Sequence, residues 1–146
     1  MRASRVARLG HLVGLLELKA RHALHVKTLA LITATERVDL LRDYQQDYEG
    51  KLLARGNTMN AEQLGNYHRF LDNLATAIKS QTAQVAERRR AVAAGEASWQ
   101  EDRRKLESVR RVTRRRQQEV LLEETRVLQR QVDDMIGTRH ATRSRN

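Results

Sequence analysis

The sequence contains no proline and no cysteine, and only five of its 146 residues are Phe, Trp or Tyr. A compact globular core of this size normally carries more aromatic side chains, and some proline in its loops. A long helical assembly fits the composition better. Lack of cysteine excludes a disulfide framework and a thiolate metal site, and it suits a reducing cytosol. Long hydrophobic runs are missing as well. The most apolar stretch, residues 9–18, is interrupted by His11 and Glu17, short of the roughly 18 consecutive apolar residues that a membrane-spanning helix requires. It leads into Lys19, Arg21 and His22 with no small-residue cleavage site, which argues against a signal peptide. Catalytic signatures are also wanting: there is no Gly-rich phosphate loop ending in Lys-Ser or Lys-Thr and no Gly-x-Ser-x-Gly elbow. The adjacent carboxylates Glu123-Glu124 and Asp133-Asp134 point to different helix faces and make no acid/base pair. No enzyme activity, cofactor or small-molecule substrate is expected.

What the chain does have is concentrated in residues 38–78, which hold four of the five aromatics: Tyr44, Tyr48, Tyr67 and Phe70. Val38, Leu41, Tyr44, Tyr48 and Leu52 recur at three-and-four spacing, as do Leu64, Tyr67, Leu71, Leu74 and Ile78. Each series marks one apolar stripe on a helix. Between them Gly56-Asn57 supplies a helix stop and Asn60 a restart, with Gln63 where a capping-box partner belongs. The spacing predicts an all-α fold, a two-helix antiparallel coiled-coil hairpin in one domain: helix one over about 3–55, a turn at 56–60, helix two over about 61–137. A basic tail follows at 138–146, disordered from His140 on.

Along helix one, Val6, Leu9, Val13, Leu16, Ala20 and Ala23 follow a heptad, after which Leu24, Leu31, Val38 and Leu52 take over the apolar edge. Such a slip resembles a stutter. Gly10 and Gly14 point to a close helix approach or to fraying. His22 and His25 could share a metal from one turn, but no third ligand stands at suitable spacing, and two solvated histidines are expected. Helix two keeps its heptad better. Leu64, Leu71, Ile78, Val85, Val92, Trp99, Leu106, Thr113, Val120 and Val127 are seven apart, and only Thr113 is polar. The accompanying edge, with Gln81, Arg88, Gly95, Asp102 and Arg116, is poor, so the coiled coil is weak except near the hinge. At about 1.5 Å per residue helix one is about 75 Å long and helix two about 110 Å. A turn near Thr58 places Leu16 beside Trp99. It leaves helix two beyond about Arg114 without an internal partner, although Val120, Leu121, Val127, Leu128 and Val132 still call for one.

The formal charge of +10 is uneven. Residues 86–116 hold eleven basic and five acidic side chains, while 117–146 hold five of each. A nucleic-acid footprint needs clustered Arg and Lys, and Arg103, Arg104, Arg110, Arg114 and Arg115 form a candidate basic surface. At about 100° per residue, however, the cations surround the helix except along the Trp99, Leu106, Thr113 stripe. That is the pattern of a solvated helix, or of one facing an acidic channel wall or an anionic lipid surface.

The ordered series Leu41-Arg42-Asp43-Tyr44-Gln45-Gln46-Asp47-Tyr48, Asn66-Tyr67-His68-Arg69-Phe70, Leu74, Ala77-Ile78, Gln81 and Ser98-Trp99 resembles the flagellar FliJ family, a component of the bacterial flagellar type III export apparatus. The resemblance covers residues 38–99 well, is thin before them, and rests on length and composition after them. It implies a non-enzymatic antiparallel coiled coil similar in shape to the stalk of rotary ATPases. The implied partners are the export ATPase ring with its regulator, the membrane export-gate protein and export chaperones. The implied location is cytoplasmic, peripheral to the inner membrane at the flagellar base. The family's gate-contacting stripe falls on Phe70, Leu74 and Ala77, with Gln81 at a fourth position where the family can have His. Leu41, Tyr44 and Tyr48 match the supporting face. Injectisome stalk proteins share this architecture and remain an alternative. The alternative of another class is a basic coiled-coil module binding nucleic acid or an anionic membrane, which steep salt dependence would reveal.

Overall fold

In the computed structural model, which describes residues 2–145, two helices account for almost the whole chain. Helix α1 is Arg2–Arg55 and helix α2 is Ala61–Arg145, joined by a short 3-10 turn at Gly56–Thr58. Among the described residues there is no strand, and no helix is long and apolar enough to cross a membrane. The expected all-α hairpin with a longer second helix is what forms.

Local chemistry explains the turn. Gly56 and Asn57 are poor helix formers, and α1 gives way there to a 3-10 turn in which the Thr58 hydroxyl donates to the Arg55 carbonyl at 2.8 Å. Among the described residues no backbone position has positive φ, so Gly56 ends α1 by tightening and not by a left-handed cap. Met59 is then extended. At the restart the backbone N–H of Gln63 donates to Asn60 Oδ1 at 2.8 Å, and the backbone N–H of Asn60 donates to Gln63 Oε1 at 3.2 Å. These are the two reciprocal bonds of a capping box.

Burial shows where each helix is covered. On α2 the heptad from Leu64 to Thr113 is covered throughout, and Tyr67, Leu74, Gln81, Gly95, Asp102 and Val109 of the second edge are covered with it, whereas Arg88 is exposed. On α1 the seam differs from the sequence expectation. Leu9, Leu16 and Ala23 are exposed, and the covered positions are Gly10, Glu17, Leu24, Leu31, Val38, Gln45 and Leu52, with Val6, Val13, Ala20, Lys27, Ala34, Leu41 and Tyr48. Both series step by seven without a break, so there is no stutter. Reading only apolar residues hid the repeat, because Gly10, Glu17, Lys27 and Gln45 sit in it.

The internal packing divides into two units. One is Glu17–Glu101, which includes the turn. Its core is Ala34, Val38 and Val85 with Leu31 against them. The Trp99 indole N–H donates to Glu17 Oε1 at 3.0 Å, one residue on from the Leu16 expected beside it. Gly95 is buried under Lys27: a Cβ built there would meet Lys27 Cδ at 3.3 Å and Leu24 Cδ1 at 3.4 Å. The other unit joins α1 up to Leu16 to α2 from Asp102 on. Here Leu106 and Val109 lie against Gly14 and Gly10, where a Cβ would have ordinary contact distances, so the glycines are not compelled by space. From Arg114 to Ser144 every side chain is exposed, which places the overhang where the turn geometry puts it.

Helix two runs past the expected end near 137 to Arg145, through the segment expected to be a disordered tail, of which Asn146 lies outside the described residues. No proline stops it, and Gly137 costs only about 1 kcal/mol relative to alanine. Thr138 and Thr142 satisfy their hydroxyls within the helix, donating to the carbonyls four residues back at 2.8 and 2.9 Å.

Candidate functional site

The unit containing the turn carries the aromatic face. Tyr48, a seam residue of α1, meets two rings of α2. Its centroid is 6.0 Å from that of Tyr67 at an interplanar angle of 55°, and 4.5 Å from that of Phe70 at 48°. Both are tilted arrangements favoured by the ring quadrupole. Lys51 Nζ lies 5.1 Å from the Tyr48 centroid, within cation–π range. Tyr67 belongs to the seam and is half-buried, but Phe70 stands on its edge and keeps 43% of its surface open. A ring held against Tyr48 by part of its surface and open elsewhere is positioned for an outside contact without needing one to stay in place.

The rest of the expected stripe divides. Ala77 lies seven residues on from Phe70 along the same edge and is half-buried. Leu74 is 7% exposed; it serves the seam, and its role at the face is to support the residues beside it. Gln81 is half-buried, and its Oε1 is buried without a hydrogen-bond partner among the described residues. Beside it runs an open groove of about 430 Å³ lined by Arg37, Leu40, Leu41, Ala77, Ser80 and Gln81. Of the supporting positions, Leu41 and Tyr48 are half-buried in the seam, and Tyr44 is 47% exposed. The structure thus brings Tyr48 and Phe70 into contact, and Leu41, Ala77 and Gln81 to one groove. Sequence reading missed Leu40, which lines that groove while half exposed. It lies off the α1 stripe, and only the position of α2 marks it out.

Chemically this face offers apolar and aromatic surface, one orphaned amide oxygen, and no constellation of acids, bases or nucleophiles. It suits docking against a protein.

The basic surface belongs to the other unit. Arg103, Arg104, Arg110, Arg114 and Arg115 are all exposed. Arg103 is 3.3 Å from Glu107 in an i,i+4 pair, an exposed bridge of small energetic weight. Arg110, Arg111 and Arg114 border an open groove of about 830 Å³ together with Gly10, His11 and Gly14. His22 and His25 are exposed on α1.

Residues 14–145 match the family model described as "Flagellar FliJ protein". A flagellar FliJ protein of Salmonella typhi is 28% identical over 102 residues, covering 69% of each chain. No solved structure matches the chain. With all of α2 and most of α1 matched by the family model, the chain belongs to the flagellar FliJ family, a family of flagellar protein export.

Proposed function

We propose that this chain is a non-enzymatic stalk of the flagellar type III export apparatus, which links the export ATPase ring to the membrane export gate and assists export chaperones on the cytoplasmic side of the inner membrane. The observation that carries the reading is Phe70, an aromatic ring seated on Tyr48 at 4.5 Å and still 43% exposed, in a chain with only one phenylalanine. The face of Phe70, Ala77 and Tyr44, continued by the groove at Gln81, docks on the gate protein. Leu74 holds that face from below. The gate supplies an apolar pocket for the ring and a donor at its rim.

The overhang of α2 beyond Thr113 is the portion offered to the ATPase ring, since its side chains have no cover from α1. Exposed arginines between 103 and 115 give the neighbouring stretch the charge to approach an acidic wall.

A pull-down with the tagged full chain, from separated cytosol and membrane fractions, tests the reading. The ATPase and its regulator are expected from the cytosol and the gate protein from the membrane. Capture should survive moderate salt, because apolar docking is far less salt-dependent than phosphate contacts. Recovery of nucleic acid alone, lost steeply as salt rises, contradicts it.

A further inference from the structure

Within the unit Glu17–Glu101, the side of α1 turned away from α2 is apolar over one stretch. Leu18, Val26, Leu29 and Ile32 keep 48–52% of their surface open, and Lys19, His22, His25 and Thr33 are exposed among them. At about 100° per residue these positions fill an arc of about 140°, centred opposite the covered seam of Glu17, Ala20, Leu24, Lys27 and Leu31. The Thr33 hydroxyl donates to the Leu29 carbonyl at 3.1 Å and asks nothing of a partner. We infer that this arc is a membrane-surface site, on which α1 lies in the headgroup layer of a bilayer rich in anionic lipid.

Charge selects an anionic surface. Residues 18–35 hold Lys19, Arg21 and Lys27 and no Asp or Glu. The acid just before them, Glu17, is turned into the seam and accepts the Trp99 indole N–H. Lys19 and Arg21 stand at the two edges of the arc, from which their stems can lie along the apolar surface while the charged ends reach lipid phosphates. Arg21 approaches Glu17 at 3.7 Å, yet its side chain is 58% exposed. Past Thr35 the sign reverses. Residues 36–49 carry Glu36, Asp39, Asp43, Asp47 and Glu49 against Arg37 and Arg42, and a negative surface repels that stretch. The contact therefore ends near Thr33.

The two histidines select lipid over a protein helix. They stand near the middle of the arc, between Leu18 and Leu29. A covering helix would bury both imidazoles in its seam and would have to supply a hydrogen-bond partner to each. In a headgroup layer, phosphate oxygens, glycerol oxygens and water do this without special design. Four large apolar side chains on a helix not apolar enough to cross a membrane fit reversible attachment. The inference stands apart from docking on the gate, whose residues all lie beyond Thr33.

Co-sedimentation of the full chain with vesicles of phosphatidylglycerol and phosphatidylcholine in equal parts, at about 0.15 M salt, provides the test, with phosphatidylcholine vesicles for comparison. Binding to the anionic vesicles alone is expected. The double variant Leu29→Gln, Ile32→Gln is expected to weaken it about 10-fold or more, with the helical signal by circular dichroism kept. Arginines between 103 and 115 could also hold a vesicle, so the site of contact must be read directly. Absence of native cysteine allows one environment-sensitive fluorophore per chain. On Val26→Cys it is expected to brighten and shift to the blue with anionic vesicles; on Gln117→Cys, exposed beside the basic cluster, it is not. The proposal is overturned by absence of binding up to about 1 mM lipid, which leaves the arc to a protein helix. Equal binding to neutral vesicles overturns it too, as does a double variant that binds like the parent, or a blue shift at Gln117→Cys with none at Val26→Cys. Should the double variant lose helix, the two labelled variants decide alone.

Discussion

Trp99 of α2 donates its indole N–H to the carboxylate of Glu17 of α1 across 3.0 Å, and that carboxylate also lies 3.7 Å from Arg21. Glu17 occupies a seam position that an apolar residue would ordinarily fill. Its charge is tolerated because the one tryptophan of the chain brings a donor to it, while Arg21 faces solvent on the next turn.

A double-mutant cycle with Trp99→Phe and Glu17→Ala, followed by urea unfolding, is expected to show a coupling of about 0.5–1.5 kcal/mol. Purely additive losses would mean that the bond contributes nothing beyond ring packing.

Gly95 gives a second test of the seam. A methyl group there must displace the end of the flexible Lys27 side chain by a few tenths of an ångström, while removing a helix-interior glycine gains about 1 kcal/mol. Gly95→Ala is therefore expected to raise the urea midpoint slightly. Gly95→Leu, which cannot share the space with Leu24 and Lys27, is expected to lower stability by about 1–3 kcal/mol. If both variants lowered it equally, the close approach would be tighter than these distances allow.

These residues also show what a single sequence can and cannot reveal. The heptad from Leu64 to Thr113, the capping box at Asn60 and Gln63, and the end of cover near Arg114 were legible because each depends on local pattern or on chain geometry. The register of α1 was not. Glu17 and Lys27 belong to the seam only because Trp99 and Gly95 lie opposite, and a helix read alone favours the leucines at 9 and 16 instead. Helix α2 was cut short near 137 for a related reason: a polar, basic segment looks like a frayed end, yet nothing in it breaks a helix. At the candidate face, Phe70 and Ala77 lie on the seam's edge, whereas Leu40 enters the groove only through the pairing of the two helices.

The turn is held by its cap. Asn60→Ala is expected to cost about 1 kcal/mol, and adding Gln63→Ala to it is expected to cost little more, because the two side chains bond reciprocally. Full additivity in the melting curves would show that the bonds act separately.

Among the described residues, truncation after Arg116 removes only side chains that α1 does not cover. The unfolding midpoint of the hairpin is expected to stay within a few degrees, while total helicity falls with the length removed. A fall of about 10 °C or more, equivalent to well over 1 kcal/mol for a chain of this size, would show that the overhang stabilises the hairpin at home.

The claim on which the functional account rests is that Phe70 is an exposed docking residue and not a core residue. Its most direct test is the affinity of the Phe70→Ala variant for the cytoplasmic part of the export-gate protein, with Leu53→Ala, exposed at 88% and outside the face, as the control. Loss of a buried ring at the contact is expected to cost about 1.5–3 kcal/mol, or roughly 10- to 150-fold in Kd, with the melting temperature and helicity of the variant close to those of the parent. A Phe70→Ala protein that melts markedly lower and binds the gate as tightly as the parent would contradict the account, and would leave Phe70 as a lid over Tyr48.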